Sequence, residues 1–302
     1  MAKILSGKQV AEALTAKVRA RADHLSGQGL VPKLVIVRLG EDPSDLAYER
    51  GALKRAEAAG VLAERIVLGE KTSKEELTGT LRRLSGDETV HGVLLFRPLP
   101  AHLKADEREI VNALDPAKDV DGMTDQSCAG IYEGAPLGFP PCTAQAVIEM
   151  LDYYDIQLKG TRAAVIGRSL VIGKPVAMLL MARNATVTIC HTRTKDVPAV
   201  TREADLIVTA AGKLGMLNAA YVREGQTVID VSVNYDPEKN DGNGGFAGDA
   251  VFDEVEPAAA AITPVPGGVG AVTTSVLMAH VVRSAERTAV RCGLQPYATE
   301  DE

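Results

Sequence analysis

A glycine-containing loop lies between a β-branched segment and a helical segment in the second half of the chain. Residues 162–166 lead into Gly-Arg-Ser-Leu-Val-Ile-Gly-Lys-Pro at 167–175, and a helical pattern follows over residues 176–183. One glycine lets the chain turn at a strand end, and a second lets the helix approach, so that backbone N–H groups and the helix N-terminus face a pyrophosphate. We predict a dinucleotide site here; the alternative is an ordinary βα turn without a ligand. Its cofactor-binding residues are predicted to be Gly167, Arg168, Ser169 and Gly173, together with Val233 after the predicted strand 227–231.

The end of the next predicted strand indicates which dinucleotide is bound. NAD sites usually carry Asp or Glu there, which accepts a hydrogen bond from the ribose 2′-hydroxyl. The segment 190–195 contains no acid, and Thr192, Arg193 and Lys195 offer a hydroxyl and two cations suited to a 2′-phosphate. We therefore predict NADP, with Thr192 and Arg193 among the residues that bind it; the alternative is a solvated basic loop. His191 is predicted to be a turn residue rather than a catalytic base.

Two sets of alternating helices and strands position these residues. The first set has predicted helices over 7–25, 43–60 and 73–84 and predicted strands over 33–39, 65–68 and 89–96. The second has a helix over 143–154 and strands over 161–166, 186–190, 205–209, 227–231 and 262–263. Strands that alternate with helices form parallel sheets covered on both faces. A Gly- and Pro-rich stretch, residues 134–141, separates the sets.

This pattern predicts a two-domain α/β fold. The N-terminal α/β catalytic domain is predicted over residues 1–140 and is completed by a C-terminal helix over 272–290. A Rossmann-type NADP-binding domain with a parallel sheet is predicted over 141–271. The polar residues 291–302 are predicted to be a flexible tail.

Length and composition exclude several classes of protein. The 302 residues are about twice a typical domain, and 46% hydrophobic with 24% charged residues is a globular composition. A net charge of −7 without a basic tract argues against a nucleic-acid or anionic-membrane surface. The four cysteines include no CxxC pair, so we predict no metal. The charge-free run 257–282 is broken by Pro and Gly and is too short in its apolar pieces to cross a bilayer, so we expect a cytoplasmic protein.

Three more motifs accompany the glycine loop. These are Lys-Asp-Val-Asp-Gly at 118–122, Pro-Cys-Thr at 141–143 and Thr-Pro-Val-Pro-Gly-Gly-Val-Gly at 263–270. In this order and spacing, the four motifs resemble the methylenetetrahydrofolate dehydrogenase/cyclohydrolase family of the bacterial FolD type. The resemblance covers roughly residues 2–290.

The resemblance implies an activity in one-carbon metabolism. It implies a homodimer whose subunits hold a folate cleft between two domains. Such a protein oxidises 5,10-methylenetetrahydrofolate with NADP⁺ and then hydrolyses the methenyl product to 10-formyltetrahydrofolate. Carried over residue by residue, the motifs imply that Tyr48 and Asp121 are catalytic and bind substrate, and that Pro266 and Gly267 also bind substrate.

Two positions depart from the family pattern. Tyr48 begins the family's Tyr-x-x-x-Lys motif, but Ala52 stands at the lysine position. The family's Val-Gln-x-Pro-Leu-Pro run has Phe96 at the glutamine position. Neither neighbour is expected to substitute: Lys54, at i+6 from Tyr48, faces away on a helix, and Arg97 points to the opposite face of an extended chain from Phe96.

The two departures affect one of the two reactions. Oxidation requires placement and a negative environment for the growing positive charge, which Asp121 supplies. Hydrolysis requires an acid/base group, which the family's lysine provides. We therefore predict a dehydrogenase whose cyclohydrolase activity is weak or lost. The alternatives are a bifunctional enzyme with substitute residues and a non-catalytic NADP- or folate-binding regulator; an unrelated NADP dehydrogenase is disfavoured by the motif at 119–122.

Overall fold

The structure is a computed structural model that describes residues 2–240 and 244–297. The chain forms two compact units. The six-stranded unit comprises residues 2–11 and 143–273, and the three-stranded unit comprises residues 12–142 and 274–297. The predicted α/β class with parallel sheets is confirmed.

The elements alternate along both units. The strands are β1 (Lys3–Ile4), β2 (Lys33–Leu39), β3 (Leu62–Leu68), β4 (Gly92–Leu95), β5 (Arg162–Ile166), β6 (Thr186–Cys190), β7 (Leu206–Thr209), β8 (Thr227–Asp230), β9 (Asn234–Asp236), β10 (Gly245–Ala247) and β11 (Ala261–Ile262). The α-helices are α1 (Gly7–Gly27), α2 (Pro43–Ala59), α3 (Lys74–Gly86), α4 (Glu107–Val111), α5 (Asp125–Glu133), α6 (Cys142–Tyr153), α7 (Gly173–Ala182), α8 (Val197–Arg202), α9 (Phe252–Val255) and α10 (Thr273–Arg291).

The larger sheet has the strand order β1-β11-β8-β7-β5-β6, and its pairings are all parallel. The order reverses at β5, because β6 pairs on one side of it and β7 on the other. In open parallel sheets, this reversal leaves a crevice at the carboxyl ends of the strands where ligands bind. The loop that follows β5 is therefore in the position that a dinucleotide site requires.

The smaller sheet has the parallel order β3-β2-β4. Strand β2 is buried from Leu34 to Leu39, as expected of a central strand with both faces covered. Its one charged interior residue, Arg38, donates from Nε to Glu49 Oε2 of α2 at 2.9 Å. This pairing neutralises a guanidinium that would otherwise be costly to bury.

Helix α2 begins and ends at residues suited to those positions. Asp42 accepts a hydrogen bond from the Ser44 N–H at 2.8 Å, Pro43 occupies the first helical position, and Gly60 closes the helix at φ 71°. The buried face of α2 carries residues at helical spacing: Glu49, Ala52, Ala56 and Ala59.

Several predicted element boundaries differ from the structure, and the largest differences, of three residues, are at the starts of β3, β4 and α7. The strand predicted over 89–96 begins at Gly92. The predicted strand over 65–68 begins earlier, at Leu62, because β3 is an edge strand whose polar outer residues hide the alternation. The predicted helix over 176–183 begins instead at Gly173. Among the helices of the described residues, none is long and apolar enough to span a membrane.

The chain beyond α10 contacts α1 within the three-stranded unit. The Gln295 N–H donates to Gln28 Oε1 at 2.9 Å, and the ring of Tyr297 meets the ring of His24 edge-on at 5.5 Å. These contacts involve the first part of the predicted flexible tail; residues 298–302 lie outside the described residues.

Candidate functional site

A cavity of about 380 Å³ opens in the three-stranded unit where β4 ends. Its walls come from the first turns of α2, from the chain at the end of β4 and from the turn that contains Asp121. The lining residues are Ser44, Asp45, Tyr48, Leu94, Leu95, Phe96, Arg97 and Asp121. The structure thus brings Tyr48 and Asp121, which are 73 residues apart in the sequence, to one cavity.

The Asp-Val-Asp-Gly turn divides its two carboxylates between different tasks. Asp119 is fully buried and accepts hydrogen bonds from Met123 N, Thr124 N and Ser127 Oγ at 2.9, 2.7 and 2.6 Å. Gly122 has φ +64°, and a Cβ there would collide with the backbone at Phe139. Asp119 and Gly122 therefore hold the turn, and Asp121 is the carboxylate that reaches the cavity.

A neutral histidine of α10 makes a hydrogen bond with the Asp-Val-Asp-Gly turn. The His280 Nδ1 of α10 lies 2.9 Å from the Val120 carbonyl oxygen. Burial lowers the pKa of His280 to about 4, so the neutral ring donates this hydrogen bond at physiological pH. Helix α10 thus positions the segment that carries Asp121.

Arg97 lies beside Asp121, and the expectation that its side chain points away is wrong. Its Nη2 is 4.0 Å from Asp121 Oδ2, and its Nη1 is 3.5 Å from Glu107 Oε1. Strand β4 ends at Leu95, so the alternation of an extended strand does not continue to position 97. Burial raises the pKa of Asp121, and the Arg97 cation partly opposes that rise.

Asp45 is a cavity residue that the sequence analysis did not single out. Burial, followed by the negative charge of Asp42, raises its pKa, and Arg38 opposes this. Position 45 lies one turn before Tyr48 on α2, which places both on the same side of the helix. The carboxylates of Asp45 and Asp121 favour a cationic species in the cavity.

The two departures from the family pattern have clear structural consequences. Ala52 is completely buried on the inner face of α2 and presents only a methyl group. Phe96 is also buried, and its ring meets the Tyr48 ring edge-on with centroids 5.6 Å apart. Lys54 is exposed, as expected. An amine and an amide are therefore replaced by apolar groups.

The glycine loop of the six-stranded unit fits a pyrophosphate. A Cβ at Gly167 would collide with the Ala210 carbonyl oxygen, and a Cβ at Gly173 would collide with that of Gly167. Ser169 Oγ accepts hydrogen bonds from Ile172 N and Gly173 N at 3.1 and 3.4 Å, which ties the loop to the first residue of α7. The loop is thus a narrow backbone cradle at a helix N-terminus, with Arg168 exposed beside it.

The basic loop follows β6 at the same edge of the sheet. Thr192, Arg193 and Lys195 are exposed there. The His191 N–H donates to Thr194 Oγ1 at 2.9 Å, and His191 Nδ1 accepts from the Arg193 N–H at 3.1 Å. His191 is thus used in the turn, and the Arg193 guanidinium is available to an anionic ligand.

Asp249 fixes the remaining loops of this edge, and the sequence analysis missed it. Its buried carboxylate accepts from Thr209 Oγ1, Ala211 N, Lys213 N, Ser232 Oγ and Asn234 Nδ2 over 2.7 to 3.1 Å. The donors come from the last residue of β7 and from the segments that follow β7 and β8. Val233, in the segment after β8, is exposed and lies between two of these donors, Ser232 and Asn234.

Pro266 and Gly267 also belong to the six-stranded unit, in the segment after β11. The Gly7 N–H donates to the Gly267 carbonyl oxygen at 2.8 Å, and Gly267 has φ +99°. The structure therefore places the predicted substrate-binding residues in two units, with Tyr48 and Asp121 in the other one. No cluster of three His, Cys, Asp or Glu side chains suited to a metal occurs within residues 2–240 and 244–297.

Known proteins match both units. Residues 5–121 match the catalytic-domain model of tetrahydrofolate dehydrogenase/cyclohydrolase, and residues 141–289 match its NAD(P)-binding-domain model. The bifunctional protein FolD of Carboxydothermus hydrogenoformans is 48% identical over 95% of this chain and 98% of its own length. The crystal structure of the Campylobacter jejuni FolD dehydrogenase/cyclohydrolase superposes with a TM-score of 0.89 at 34% identity, covering 95% of this chain and 99% of that one. The Trypanosoma brucei enzyme, solved with NADP cofactor and an inhibitor, superposes with a TM-score of 0.87 at 32% identity, covering 96% and 99%.

A dinucleotide cradle at the reversal of a parallel sheet, with a second α/β unit that carries an acidic cavity, defines a nucleotide-dependent oxidoreductase. Both family models match in the expected order. The chain belongs to the tetrahydrofolate dehydrogenase/cyclohydrolase family. The predicted class of enzyme and the predicted NADP cofactor are confirmed at the level of the family.

Proposed function

We propose that this chain oxidises 5,10-methylenetetrahydrofolate to 5,10-methenyltetrahydrofolate with NADP⁺ and leaves the hydrolysis of the product to the spontaneous rate. The observation that carries the proposal is the set of residues at the cavity and behind it. Tyr48, Phe96 and Asp121 line the cavity, and Ala52 is buried on α2; Ala52 and Phe96 stand where the family has a lysine and a glutamine.

The oxidation is within reach of these residues. NADP⁺ accepts a hydride from the bridging methylene, and the folate nitrogens supply the electrons, so no proton is abstracted from carbon. Tyr48 positions the substrate by stacking or hydrogen bonding. Asp121 binds the polar edge of the pterin and, with Asp45, stabilises the positive charge that develops on the product.

The hydrolysis is not within reach of the same residues. Water must attack the methenyl cation and lose a proton, and a nitrogen must then be protonated for the ring to open. A methyl group at position 52 can do neither. Arg97 is close enough to polarise water, but a guanidinium stays charged in proteins and cannot accept the proton. The bifunctional alternative therefore has no suitable acid/base among the cavity-lining cations, and the non-catalytic alternative leaves the retained Tyr48 and Asp121 unexplained.

One assay separates the three alternatives. The enzyme is mixed with methylenetetrahydrofolate and NADP⁺, and NADPH, methenyltetrahydrofolate and 10-formyltetrahydrofolate are quantified by chromatography at early times. We expect one methenyl product for each NADPH, with the formyl product appearing only at the buffer rate. Formyl product that keeps pace with NADPH supports the bifunctional enzyme, and no NADPH supports the binding protein.

The preference for NADP over NAD is expected to depend on Arg193. Replacing Arg193 by Ala removes a charge-assisted contact with the 2′-phosphate, which is worth about 1.5–3 kcal/mol, so the KM for NADP⁺ should rise about 10- to 150-fold. The KM for NAD⁺ should change little, because NAD⁺ has no such phosphate. Arg162→Ala is the matched control, since Arg162 is exposed at the opposite end of β5. Equal effects of Arg193→Ala on both cofactors would contradict the assignment.

We also propose a homodimer in the cytoplasm. Strand β3 is the edge of its sheet and exposes Leu62 and Val67 at 49% and 50% of their surfaces, which a second copy would cover. The cysteines are free thiols, which suits a reducing compartment. Light scattering in solution tests the dimer.

A further inference from the structure

Arg97 is the cation in the wall of the substrate cavity, and it stands beside the carboxylate assigned to the substrate. Its side chain is 25% exposed and that of Asp121 is 27% exposed, so both reach the cavity from a partly buried position. Arg97 Nη2 lies 4.0 Å from Asp121 Oδ2, and Nη1 lies 3.5 Å from Glu107 Oε1. Two acids on different segments therefore hold the guanidinium in place.

Both contacts are long for charge-assisted hydrogen bonds, which are typically about 2.7–2.9 Å. They engage at most two of the five N–H donors of the guanidinium. Donors therefore remain for a ligand that lies against Asp121. This is a different arrangement from a closed ion pair, in which a bidentate contact satisfies both partners.

The pterin ring offers a matching pattern. Its 2-amino group and its N3–H are donors, and the neighbouring 4-oxo oxygen is an acceptor. A carboxylate can accept from the two donors, while an adjacent guanidinium donates to the oxygen. Phe96 supplies no amide for that oxygen, and the hydroxyl groups of Ser44 and Tyr48 can each donate or accept, so they cannot enforce a choice. Arginine is a donor only.

We propose that Arg97 determines the specificity of the cavity by donating a hydrogen bond to the 4-oxo oxygen of the pterin, beside Asp121, which accepts from the 2-amino group and N3–H. The assignment rests on the proposed function, because it takes the folate as the occupant of this cavity. It adds that the chain rejects pteridines with a donor in place of that oxygen, since two donors would then face each other.

Folate and its 4-amino analogue aminopterin, which has an amino group in place of the 4-oxo oxygen and therefore no proton on N3, test the assignment. Their dissociation constants are measured by calorimetry with NADP⁺ present, in mildly alkaline buffer where the diaminopteridine ring is neutral. For the unaltered protein we expect folate to bind about 10- to 100-fold more tightly than aminopterin. In Arg97→Leu the preference should fall at least about fivefold, mainly through weaker binding of folate, and the remainder reflects the N3–H contact with Asp121. Arg97→Lys, which keeps a donor, should retain most of the preference.

The control is Arg108→Leu, because Arg108 is an exposed arginine of the same unit that pairs with Asp125 outside the cavity. It should leave the preference unchanged, and the dissociation constant for NADP⁺ should be the same in every variant. A preference that is undiminished in Arg97→Leu, or an unaltered protein that binds both ligands equally or neither, overturns the assignment. If NADPH still forms from methylenetetrahydrofolate in that case, only the role of Arg97 fails; if no NADPH forms, the proposed function fails with it.

Discussion

Methenyltetrahydrofolate supplied to this protein is expected to hydrolyse at close to its spontaneous rate. General acid–base catalysis is typically worth about 10²- to 10⁴-fold, and the cavity has lost the group that provides it. Ala52 is fully buried and ends at Cβ, and Phe96 presents an aromatic ring where an amide would orient a lysine or a water. The ring also excludes water from the neighbourhood of the cation. The measurement is the decay of the near-ultraviolet absorbance of the methenyl compound, with and without enzyme.

The C. hydrogenoformans relative, a bifunctional protein by name, is the positive control under identical conditions. The converse variant combines Ala52→Lys with Phe96→Gln, and we expect partial recovery of hydrolysis, because the introduced amine can carry a proton beside the cavity. Thermal unfolding of the double variant checks that a lysine at this buried position is accommodated. Enzyme-dependent decay of the methenyl compound as fast as oxidation, in the unaltered protein, would contradict the prediction and show that another group supplies the acid/base.

Asp121→Asn is expected to lower kcat/KM for oxidation by about 10²- to 10³-fold, the range found when a single group that stabilises transition-state charge is removed. The amide keeps the size of the side chain but loses the negative charge that opposes the developing cation. The dissociation constant for NADP⁺ measured alone should not change. Asp125→Asn is the matched control, since Asp125 is an exposed acid on α5. Oxidation near the unaltered rate in Asp121→Asn would show that Asp121 does not stabilise the developing positive charge.

The pH dependence of oxidation provides a second test of Asp121. Burial raises its pKa above the usual 3.8, so the ionised form is lost at a higher pH than for an ordinary carboxylate as the solution is acidified. The acid limb of kcat/KM should therefore lie above that value. Arg97 lowers the pKa of Asp121, so Arg97→Leu should move this limb to higher pH, and Asp121→Asn should abolish it.

The sequence by itself determined the features that depend on local pattern. Alternating helical and strand periodicity identified both α/β sets, and Asp42, Pro43 and Gly60 bound α2 through capping that involves neighbouring residues only. The glycines of the loop after β5 are needed for close backbone approach, and their position between a strand and a helix led to the prediction of a dinucleotide site. The replacements at Ala52 and Phe96 were likewise visible in the sequence, because they are changes of residue type within recognisable motifs.

Only the tertiary structure decided which distant side chains meet. Asp249 accepts hydrogen bonds from the end of β7 and from the segments after β7 and β8, and no local pattern predicts that convergence. Asp45 became a cavity residue only when α2 was placed beside the end of β4. The direction of the Arg97 side chain was predicted wrongly from strand alternation. That rule ends with β4 at Leu95, and beyond it the side chain lies beside Asp121, an acid from a distant part of the sequence. Periodicity is a property of a few consecutive residues, whereas the position of a charge in a cavity depends on acids that folding brings from elsewhere in the chain.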